Sequence, residues 1–72
     1  MKPGDLMKSD ACNLWEKDTR AGDSSIVGYL EYGDLVLVLE EKLGDALVLG
    51  PDGIIGWIDG MAGGARKRLH EV

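Results

Sequence analysis

The chain lacks phenylalanine altogether and carries one cysteine, Cys12, one histidine, His70, and two prolines. A single cysteine excludes an internal disulfide. One cysteine with one histidine cannot supply the Cys/His ligands of a structural zinc site. A Ser-His-Asp or Cys-His arrangement would have to draw on His70, near the end of the sequence, so no base is placed beside a nucleophile. The glycine cluster at residues 60–64 contains no lysine, which excludes a phosphate loop. No segment approaches the roughly 20 apolar residues that span a bilayer, and no apolar run follows Lys2 as a secretory leader requires. These absences predict a non-enzymatic protein without cofactor, metal or membrane partner, placed in the cytoplasm or inside a virion.

What is present is acidic and small. Residues 1–60 carry five basic and twelve acidic side chains, a balance of −7, while residues 61–72 carry three basic and one acidic, a balance of +2. An acidic body repels phosphate backbones, so nucleic acid is disfavoured as a partner. Three cations in Arg66-Lys67-Arg68 give only weak, salt-sensitive attraction and are read as a solvated tail. A chain of 72 residues buries only about 60% of its unfolded surface, leaving a thin margin of stability. Cys12, beside Leu14 and Trp15, is read as a small buried side chain.

The apolar runs are short, rich in β-branched residues and separated by turns, which predicts strands. Pro3-Gly4-Asp5 is turn chemistry, followed by a short strand at Leu6-Met7-Lys8 and a continuation through Ala11 to Trp15. Glu16 to Ser25 is polar and reads as a long loop. Ile26 to Leu30 leads into the turn Glu31-Tyr32-Gly33-Asp34, and Leu35 to Leu39 is the clearest strand. Glu40 to Asp45 reads as a polar hairpin loop in which Gly44 can take a positive φ. Leu47-Val48-Leu49 returns, Gly50-Pro51-Asp52-Gly53 turns, and Ile54 to Ile58 closes the series. Most aspartates lie beside turn glycines, where they cap their own backbone, and the Asp18–Asp23 loop lacks the alternating ligands of a calcium site.

In this order the residues resemble the bacterial Src-homology-3-like (SH3-like) domain family. The matching elements are Asn13-Leu14-Trp15, the loop from Asp18 to Ser25, Ile26-Val27-Gly28-Tyr29-Leu30 with Gly33, Leu35 to Glu40, and Gly53-Ile54-Ile55-Gly56-Trp57-Ile58. The likeness covers roughly residues 5–60. It implies an all-β, small five-stranded barrel over residues 1–60, with 61–72 as a flexible basic tail. Ala46 stands where the family commonly has a tryptophan of the ligand groove, so wall binding is not carried over with the fold. Stand-alone barrels of this kind resemble accessory or structural subunits of bacteria and tailed bacteriophages.

If the likeness sets the register, Val36, Val38, Leu47, Leu49, Ile54 and Ile58 face the core, and alternation sends Leu35, Leu37, Val48, Ile55 and Trp57 outward. Those five form a candidate protein-binding patch, because monomers rarely leave such a surface wet. The implied function is an interaction or assembly module that binds a protein partner or itself. The alternative is a peptide- or wall-binding groove formed by Trp15, Tyr32 and Trp57, since aromatic-lined grooves take extended peptides.

Overall fold

The computed structural model describes residues 1–18, 23–58 and 65–72. Seven strands form: β1 (Leu6–Ser9), β2 (Cys12–Trp15), β3 (Ile26–Leu30), β4 (Leu35–Lys42), β5 (Asp45–Leu49), β6 (Ile55–Ile58) and β7 (Leu69–Glu71). A single helical turn, α1 (Ala65–Arg68), precedes the last. The strands line up as β3-β2-β6-β5-β4-β1-β7, each neighbouring pair antiparallel. The fold is all-β as expected, but the closed five-stranded barrel is corrected to one open sheet. The chain's last strand extends the sheet beyond β1, and β3 pairs with β2 alone, so β3 and β7 remain its two edges.

The flexible tail is corrected for the same reason. Met7, Lys8 and Ser9 pair with Glu71, His70 and Leu69, and Leu69 is 4% exposed. Burial of Leu69 is worth about 1.5–3 kcal/mol, and together with the backbone pairing to β1 it offsets the entropy lost in ordering a short strand at the sheet edge. Residues 61–64 of the expected tail lie outside the described residues.

Turn chemistry fixes the corners. The turn Lys2-Pro3-Gly4-Asp5 and the turn Glu31-Tyr32-Gly33-Asp34 are built alike, with positive φ at Gly4 and Gly33. In each the aspartate N–H donates to the first carbonyl at 3.1 Å. Its Oδ2 accepts the first residue's N–H at 2.9 Å. Both deliver a Leu directly into a strand, β1 or β4, and those strands pair. The expected six-residue loop at 40–45 shrinks to two residues. β4 runs on to Lys42, which pairs with Asp45 across Leu43 and Gly44, both at positive φ (50° and 92°). That is the backbone of a type I′ hairpin, whose twist matches the strands it joins.

The core among the described residues is Met7, Cys12, Leu14, Leu30, Val36, Val38, Ala46, Val48, Ile58 and Leu69. Here the expected pleat of β5 is inverted. Val48 is fully buried, opposite Val38 and Gly56, whereas Leu47 and Leu49 face out beside Trp57 and Ile55. Leu-Val-Leu is apolar at every position, so the sequence carries no phase of its own there. The smaller valine takes the inner site, where β2 approaches Gly56 closely. Ile54, expected inside, is 37% exposed and packs over Gly28. At the far corner Met1, Asp5, Leu6, Met7, Glu71 and Val72 line one hollow, so the two ends of the chain are neighbours.

Candidate docking face

The outward side of the sheet is built in rows that run across strands. Leu6 of β1 is opposite Leu37 of β4, which is opposite Leu49 of β5, which is opposite Ile55 of β6. Two residues along, Glu40 is opposite Leu47, then come Trp57 and Trp15, with Ile26 of β3 beyond. On the other side of the first row Lys8 is opposite Leu35. Opposed side chains on one face lie about 4.5–5.5 Å apart at Cβ, so these rows are in lateral contact. Leu6, Leu35 and Ile55 are 52%, 46% and 54% exposed, while Leu37, Leu47, Leu49, Trp57 and Trp15 half-bury one another. A soluble sheet normally alternates apolar inside with polar outside. Here both sides are apolar across five strands.

Two irregularities shape this face. The β4–β5 register shifts between Val38 and Glu40, which leaves Leu39 as the extra residue of a bulge. The β2–β3 register shifts at Leu14/Trp15, with Val27 unopposed. The second shift keeps Ile26 on the outer side beside Trp15, whereas the first brings Glu40 to the outer side opposite Leu47, so the second row is apolar from Leu47 to Ile26.

Of the five residues expected in the patch, Leu35, Leu37, Ile55 and Trp57 do lie on the outer side. Val48 does not: it is 0% exposed, held inside by the inverted pleat of β5. Leu6, Leu47 and Leu49 take its place. The two leucines of β5 were hidden by the absence of any phase signal, and Leu6 joins only through its pairing with Leu37.

The aromatic groove is not assembled from its three expected members. Trp15 and Trp57 are register partners. Tyr32, 84% exposed, sits at the opposite end of β3, in a shallow hollow with Lys8, Ser9, Asp10, Gly33, His70 and Glu71. His70 Nε2 lies 3.0 Å from Asp10 Oδ1 there, tying β7 to the end of β1.

Electrostatics divide the face. Lys17 pairs with Asp23 at 3.2 Å and Lys42 with Asp18 at 3.3 Å, which neutralises both cations near the tryptophan end. Glu40, in the tryptophan row, has no ionic or hydrogen-bond partner for its side chain among the described residues, and neither does Lys8 at the Leu35 end. Cys12 is buried, and burial pushes its thiol up from the ordinary 9.0. Arg68 pulls the other way and Asp10 adds to the rise. The folded thiol holds its proton after an unfolded one has released it, so its contribution to stability is complete below pH 9.0 and is lost as pH rises through the folded value. No group of three or more Cys, His, Asp or Glu among the described residues is placed to hold a metal ion. No helix among them is long and apolar enough to cross a membrane.

Comparison with family models, with curated proteins and with solved structures finds no match. The face must therefore be interpreted from its own geometry.

Proposed function

We propose that the chain is a non-enzymatic interaction or assembly module that docks through the outer face of its sheet. One observation carries this reading: two adjacent cross-strand rows, Leu6–Leu37–Leu49–Ile55 and Leu47–Trp57–Trp15, lie on the side away from the core. Each large aliphatic or aromatic side chain brought out of water stabilises a contact by about 1.5–3 kcal/mol before the costs of association. Two tryptophans bordering a leucine field suit an interface, where Trp is enriched. The SH3-like ordering of motifs supports the same class, and a small accessory or structural subunit of a bacterium or bacteriophage is the setting proposed for it.

The test is a photo-crosslinking amino acid placed at position 55, with position 32 as an exposed control outside the two rows, in cells that make the protein. Docking through the face predicts a discrete adduct from position 55 that exceeds the one from Tyr32, which is itself 84% exposed. Equal or absent labelling at position 55 refutes it.

A further inference from the structure

We propose that the occupant of this face is a second copy of the same chain, laid against it about a two-fold axis that passes near Leu37. The proposal rests on the reading of the face as a docking surface and goes further by naming what docks. Its ground is the placement of charge. Lys8 stands opposite Leu35 at one end of the face, and Glu40 stands opposite Leu47 at the other. Leu37 lies between them on β4, and from Leu35 to Glu40 the strand covers on the order of 15 Å. Between the two charges the outward positions are Leu6, Leu35, Leu37, Leu47 and Leu49, all apolar.

A two-fold rotation at Leu37 reverses the strand direction of the second copy. It sets Lys8 of each copy against Glu40 of the other, twice, and leucine against leucine in between. An isologous contact of this kind uses one patch twice. Sliding the copies together in the same direction would instead oppose Glu40 to Glu40 and Lys8 to Lys8, so the charges select the reversed arrangement. The overall balance of −5 makes two copies repel elsewhere, which directs their approach to this uncharged field.

The experiment is sedimentation equilibrium at low salt over a concentration series up to about 1 mM, a range that detects millimolar and tighter association. The original chain should form a dimer and nothing larger, since the two-fold contact consumes the patch. Lys8→Glu and Glu40→Lys singly should each weaken the dimer by about tenfold, and the double exchange should restore it to within about twofold. Ile55→Lys, at a half-exposed site where folding is safe, should abolish it. Circular dichroism of each variant checks that the sheet is intact. Single exchanges without effect, or a double exchange that is no better than either single one, overturn the two-fold arrangement. A chain that stays monomeric throughout overturns the second copy as occupant. If position 55 then still cross-links to another protein, the docking face survives with a different partner. If it does not, both readings fall.

Discussion

Gly56 shows how much rests on one absent methyl group. A Cβ at this position would lie 2.8 Å from the Leu14 Cβ and 3.2 Å from a methyl of Val27, and neither neighbour is the free end of a long side chain. Strand β6 can thus lie against β2 with Trp15 beside Trp57 only because position 56 is bare. Gly56→Ala should cost about 1–3 kcal/mol through overpacking, read as a lower urea midpoint with an unchanged slope. A midpoint equal to that of the original chain would show that β2 and β6 are less closely apposed. Gly56 was legible in sequence as part of a hairpin, Gly56-Trp57-Ile58, but its steric role was not. That role depends on Leu14, 42 positions earlier in the chain, and no local pattern joins the two.

At the level of elements, the β4–β5 hairpin uses a residue poorly suited to its place. Leu43 has φ of 50° and is 80% exposed, so it bears the strain of a left-handed conformation without packing to offset it. Asparagine tolerates that conformation and is favoured at the first central position of such hairpins. Leu43→Asn should raise stability by about 0.5–1 kcal/mol, visible as an upward shift of the thermal midpoint, and a fall would mean that Leu43 has an unseen contact. The sequence displayed Gly44 and the polar residues around it, so the corner was found and the positive φ foreseen. Its length was overestimated because Glu40, Glu41 and Lys42 look like loop residues, although they continue the strand past the core edge. The strands from Leu35 and from Ile55 were equally plain, being β-branched or aliphatic between glycines. The facing of β5 was not plain: Leu-Val-Leu fits either pleat, and only the partners Val38 and Gly56 decide it.

The molecule as a whole depends on its last few residues. Leu69 is the sole member of the described core that comes from beyond β6, and it enters beside Met7 and Ser9 through pairing with β1. A core of ten side chains has little to spare, and Leu69→Ala should cost about 2–5 kcal/mol. That is a large part of the whole stability of a domain this size, so calorimetry should show a broad, early transition or none. An unshifted transition would mean that β7 is peripheral. This dependence escaped the sequence because Arg66-Lys67-Arg68 reads as solvated, and the three residues after it are too few to show a period. The docking face was half legible for a related reason: excess leucine announces a second apolar side, but which leucines share it is set by register across strands that lie far apart in the chain.

The hollow shared by Met1 and Val72 has a bearing on how such a unit can be used. Polypeptide joined ahead of the first residue and polypeptide joined behind the last would leave from the same corner, as two strands of one cord. The sheet could therefore be spliced into a surface loop of a host protein without prising the loop's ends apart, and the apolar row that starts at Leu6 would then begin beside the junction.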